Sequence, residues 1–161
     1  MNKLRLTMLM CLVMAAFVPF SHMFAVSQET PTYTHFVYMT GHAGWLHYIV
    51  NAWSLLLLHN LFRWYRVTVA YGCAVILSYI PLTDKPMLGA SVIVCFFIGL
   101  VIVHLWHKQR LSAILTMALL ALTCVLPGFA GAIHVAAFVV GFCFFQAEVF
   151  MRQLSDYLKK E

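Results

Sequence analysis

Ser91, His134, His47 and Asn51 are the residues of this chain best suited to chemistry. A serine hydroxyl attacks a carbonyl well only when a neighbouring base takes its proton, and a neutral imidazole is the usual base. The four types offer a nucleophile, a base candidate and two hydrogen-bond donors. His47 and Asn51 stand at i and i+4, so on a helix they share one face. A third catalytic acid is hard to place. The acids are Glu29, Asp84, Glu148, Asp156 and Glu161. Asp84 reads as a solvated loop residue, and Glu148 and those after it belong to the far end of the chain. A Ser–His dyad fits better than a triad.

The elements that carry these residues are apolar. Of 161 residues, 63% are hydrophobic and 9% are charged. Mean hydropathy is +0.90. Soluble domains carry roughly 25% charged residues, and a chain this short cannot hide so much apolar surface in one water-soluble core. The expectation is an all-α polytopic membrane protein forming one domain over residues 1–161. Six segments approach the roughly 20 residues a span needs: 4–26, 43–62, 67–83, 88–106, 111–127 and 131–151. The net charge of +5 sits between these segments, without a basic run or an aromatic-basic repeat, which argues against nucleic acid. In a six-span scheme Lys3, Arg5, Arg63, Arg66, Lys108, Arg110, Arg152, Lys159 and Lys160 all fall on one side, and only Lys85 on the other. Both termini are then cytoplasmic. Residues 1–26 also have features of a signal peptide, though the apolar stretch is long and the site before Val26 is poor. The five cysteines lack CxxC spacing and read as small buried hydrophobes.

The same scheme sets depth. Ser91, His47 and His134 each lie about three residues into a span that runs from outside to inside. At about 1.5 Å per residue they fall within roughly 5 Å of one another, with Asn51 about 6 Å deeper. Ser91, Cys95 and Gly99 form a small-residue stripe on the fourth segment. Ala130, His134, Ala137 and Gly141 form another on the sixth. Small stripes let membrane helices approach closely, and facing stripes would bring Ser91 to His134. Spacing alone also allows ordinary helix packing.

Three stretches together resemble the rhomboid family of intramembrane serine proteases. His42, His47 and Asn51 resemble its second-helix His-x4-His-x3-Asn signature. Gly89-Ala90-Ser91 resembles its Gly-x-Ser nucleophile motif. Ala132-Ile133-His134-Val135-Ala136-Ala137 with Gly141 resembles its sixth-helix histidine motif. The three occur in family order and cover the chain from about Tyr33 to Phe150. The resemblance implies a six-helix rhomboid-like bundle with Ser91 as nucleophile and His134 as general base. It implies an oxyanion hole of His47, Asn51 and the Ser91 backbone N–H, with His42, Gly89 and Cys95 in support. It implies no metal or organic cofactor, single-pass transmembrane proteins as substrates, and lateral access between the second and fifth spans. The expected setting is the bilayer of a bacterial inner (plasma) membrane.

The sequence departs from that pattern in places. Val92 follows the nucleophile where glycine is usual. Cys95 replaces a frequent tyrosine, and Ala137 a frequent glycine. The loop from about Ser27 to Gly41 is short and lacks a Trp-Arg pair. An inactive rhomboid-like protein that binds transmembrane helices is the main alternative. A haem or metal protein is disfavoured, since HExxH is absent and His42 and His47 stand about 140° apart on a helix. His22, His35, His59, His104 and His107 read as hydrated residues near span ends. A transporter would place polar residues near the bilayer midplane, not at one end.

Overall fold

The structure is a computed structural model that describes residues 2–27, 29–81, 86–125 and 130–159, the Thr123 side chain excepted. Asp84, Lys85, Lys160, Glu161 and the ends of the third and fifth segments lie outside the described residues. Among those described, the fold is all-helical. The helices are α1 (Lys3–Phe17), α2 (Thr34–Val37), α3 (Trp45–Leu58), α4 (Trp64–Ser78), α5 (Ser91–Lys108), α6 (Arg110–Val125) and α7 (Gly131–Leu158). α2 lies in the connection between the first two apolar segments, and each of the other six falls largely within one such segment. Among the described residues, three stretches are long and apolar enough to cross a membrane: Lys3–Met23, α5 and α7.

Local chemistry sets the boundaries. Pro19 sits at the start of a 3-10 turn (Val18–Met23) that ends α1; its ring nitrogen cannot donate to a helical ladder. α5 begins at Ser91 and not near residue 88, because Gly89 takes φ +104°. α7 runs well past residue 151, since after Gly141 neither glycine nor proline interrupts it.

α5 is the centre of the bundle. It packs most extensively on α7 and also touches α3, α4 and α6. Phe96 and Phe97 of α5 are fully buried. The two helices cross at glycines. A Cβ on Gly141 would run into the Phe96 carbonyl, and one on Gly99 into the backbone of Phe138 and Phe142. The two small-residue stripes expected from the sequence do face each other. α1 joins the bundle through buried Thr7, Cys11 and Met14, and Tyr48 of α3 donates its hydroxyl to the Cys11 carbonyl at 3.0 Å.

Several side chains differ from expectation. Arg66, read as a loop charge, is buried. Its Nε donates to Glu148 Oε1 at 2.9 Å, and its Nη2 pairs with Oε2. This bidentate pair joins α4 to α7 at the end of the bundle away from Ser91, and Arg66 also lies over the Tyr65 ring. A charge facing the bundle interior needs such a partner. His35, read as hydrated, is buried. Its Nδ1 lies 2.8 Å from Ser78 Oγ, and its ring stacks on Tyr79. His22, His104 and His107 are exposed as expected. Cys11, Cys73 and Cys95 are buried, but Cys124 and Cys143 face outward from α6 and α7.

Candidate active site

Three helices begin at one end of the bundle, and each delivers a polar side chain there. Ser91 is the first residue of α5, His47 the third of α3 and His134 the fourth of α7. Ser91 Oγ lies 2.8 Å from His134 Nε2. Helix rise explains the pairing. The Gly99–Gly141 crossing is two turns along from Ser91 on α5 and two turns along from His134 on α7. Two parallel helices in close contact there must bring their first turns together.

Proton accounting fixes the polarity of this pair. If Nε2 is to accept the Ser91 proton, Nδ1 must carry the ring proton. His134 Nδ1 is buried and has no hydrogen-bond partner among the described residues. Among the described residues, then, no carboxylate orients the ring from behind.

His47 is set the opposite way. Its Nδ1 accepts the Ala43 backbone N–H at 3.2 Å, which leaves Nε2 as the protonated donor. That edge packs on Gly89, where a Cβ would lie 3.2 Å from Nε2 and 2.7 Å from Cε1. Gly89 is thus required twice, by its left-handed φ and by the His47 ring against it. Asn51 is buried behind His47, and its Nδ2 donates to the His47 carbonyl at 3.1 Å. The Ser91 backbone N–H, at the first helical position, has no carbonyl within its own helix to bond. It stands at the positive end of the α5 dipole.

His42 is fully buried beside His47, with ring centroids 5.3 Å apart. Its Nδ1 lies 3.3 Å from the Thr40 carbonyl, and its Nε2 has no partner among the described residues. Burial first, and His47 second, hold its pKa down at about 4, against a smaller upward pull from Thr40. Cys95 is buried in α5, one turn below Ser91.

A cavity of about 450 Å³ opens on this group. Ser91, His134, His47 and Gly89 line it, with apolar walls that include Val92 and Ile133. Its size suits an organic ligand or an extended peptide segment. Asn51 and His42 are not on its surface. Tyr38 is, and the sequence reading missed it. It is fully buried, and its hydroxyl donates to the Ala74 carbonyl at 3.0 Å. A tyrosine in a loop carries no periodic signal that would mark it.

Among the described residues, no group of three or more His, Cys, Asp or Glu side chains is placed to hold a metal ion. Comparison with known proteins gives no matching family model, no matching curated protein and no matching solved structure.

Proposed function

We propose that this chain is an intramembrane serine endopeptidase of the rhomboid type, acting through a Ser91/His134 dyad. The carrying observation is the 2.8 Å approach of Ser91 Oγ to His134 Nε2 on the wall of a cavity. In this reading His134 takes the hydroxyl proton as Oγ bonds to the scissile carbonyl carbon. The oxyanion is met by the Ser91 backbone N–H and by His47 Nε2–H, with Asn51 holding the His47 turn. His134 then gives its proton to the leaving amine. A water, losing a proton to His134, adds to the acyl carbon; the bond to Ser91 Oγ breaks and His134 returns the proton to that oxygen.

The membrane setting follows the same proposal. Three apolar helices point to a bilayer, and the basic residues between the apolar segments favour six spans with both termini cytoplasmic. The site would then lie near the outer face of a bacterial inner membrane. A substrate helix hides its carbonyls in its own hydrogen bonds, so it must unwind to be cut. Single-pass transmembrane proteins with small or helix-breaking residues near the cut meet that condition at least cost.

The test is labelling with a serine-directed fluorophosphonate in detergent or liposomes, with cleavage of a transmembrane reporter. Wild type should label and cleave, while Ser91→Ala and His134→Ala do neither. Equal cleavage by wild type and Ser91→Ala would overturn the proposal. A binding-only reading draws on Val92, nearly fully buried against the nucleophile. It expects reporter capture without labelling.

A further inference from the structure

The turn that presents Ser91 does not stand alone. Residues 86–90 are held from outside by the connection between α1 and α3. Val26 N–H donates to the Met87 carbonyl at 2.9 Å, and Met87 N–H returns a bond to Val26 at 2.8 Å. Two residues on, Gly89 N–H donates to the Tyr38 carbonyl at 3.0 Å. Gly41 closes against Leu88 of the same turn, where a Cβ would lie 2.6 Å from its Cδ1. Val26 and Tyr38 are fully buried and Met87 nearly so, so water does not compete for these bonds.

Tyr38 is the most connected of these groups. Its carbonyl holds Gly89 and its hydroxyl holds Ala74 near the end of α4. Burial pushes its phenol pKa upward, so it stays a neutral donor. The residue is also on the wall of the cavity that holds Ser91 and His134. Gly89 can adopt either sign of φ. With φ at +104° the chain turns sharply into α5 and presents Ser91 Oγ to His134. With another φ the first turn of α5 would begin elsewhere.

We infer that Tyr38 is a positioning residue for the proposed reaction, holding Gly89 in its left-handed conformation and thereby Ser91 Oγ on His134, with the Val26–Met87 bridge as its second anchor. The inference rests on the Ser91/His134 reading. It assigns the α1–α3 connection the work of a brace that stays closed through the cycle. Tyr38 does not touch the reacting atoms in this role. Its loss lowers the rate of acylation without changing how tightly a reporter binds.

The experiment begins with a control. Fluorophosphonate labelling of wild type but not Ser91→Ala establishes the nucleophile, and failure there defeats the dyad reading itself, apart from anything said of Tyr38. Given that control, Tyr38→Ala should reduce kcat and the labelling rate at least tenfold, with KM within twofold of wild type. Tyr38→Ala and Tyr38→Phe both keep the main-chain carbonyl that accepts from Gly89; Tyr38→Phe, which also keeps the ring that seats it, should recover most of that loss. A Tyr38→Ala variant with wild-type kcat, or one altered only in KM, overturns the inference. If Tyr38→Ala does not fold, Val26→Cys with Met87→Cys gives the second test. The oxidised pair should cleave at the same rate as the reduced form of the same variant, because the link pins the turn where it already works. A rate lost on oxidation and restored by reductant means that the brace must open, and also overturns the inference.

Discussion

Among the described residues, two serine–histidine pairs lie at the same 2.8 Å separation, Ser91 with His134 and Ser78 with His35. They differ in where the protons go. Ser78 Oγ donates to the Val75 carbonyl at 2.6 Å, so its oxygen can only accept from His35 Nδ1–H. The hydroxyl proton is committed to the helix, and the imidazole acts as donor. Ser91 Oγ meets the other ring nitrogen, Nε2, and among the described residues no carbonyl takes its proton, which the proposed dyad sends to that nitrogen. Access differs as well. Ser91 and His134 line the cavity, whereas Ser78 and His35 are buried and the imidazole is stacked on Tyr79. Distance makes neither pair reactive. Proton direction and an open face separate a candidate nucleophile from a loop fastener.

The sharpest way to break this comparison is to remove each serine. Ser91→Ala should lower kcat at least about 10³-fold and abolish fluorophosphonate labelling. Ser78→Ala should leave labelling intact and cost about 1 kcal/mol of stability, read as a lower unfolding midpoint. Label on Ser78 would erase the distinction. His47→Ala should lower kcat by about 10²–10³-fold through loss of an oxyanion donor. It should leave the protein folded, as circular dichroism would check. A smaller effect follows from the helix crossing. Gly141→Ala forces α7 from the Phe96 backbone, and a displacement near 1 Å at a reacting pair costs up to about 10²-fold. Gly72→Ala, in open space, is the matched control and should change little.

The pH test is the gentlest. His42 has its pKa held at about 4 in the fold, against roughly 6.5 when unfolded. Between those values the unfolded chain binds the extra proton, so stability is full above about 6.5 and is lost as pH falls toward about 4. Midpoints measured across that window should fall with acid, and the slope should flatten in His42→Gln. The reaction rate should rise with pH as His134 becomes neutral. A rate flat from acid to alkaline would remove His134 as base.

Much of this was legible in the sequence. The i, i+4 spacing of His47 and Asn51, the small stripes around Gly99 and Gly141, and the six apolar segments all report through helical period, and the structure brings Ser91 and His134 together. Contacts without a period were not legible. Tyr38 meets Gly89 from a loop, and no spacing links residues so far apart. His35 could not be told from a hydrated histidine, because its burial depends on Ser78 and Tyr79 arriving from another helix. Arg66 left a usable trace. Glu148 falls inside the sixth apolar segment, where a carboxylate demands a cation, and a search for that cation would have reached α4.

That ion pair has a consequence in time. Arg66 leaves the ribosome 82 residues before Glu148, and until then the carboxylate it pairs with in the fold is missing. Glu148 shares α7 with His134, so the helix that neutralises Arg66 is also the one that carries His134 to Ser91. A nascent chain therefore carries Ser91 for a further 43 residues with no His134 beside it. Synthesis order thus keeps the two halves of the Ser91–His134 pair apart until the last helix docks.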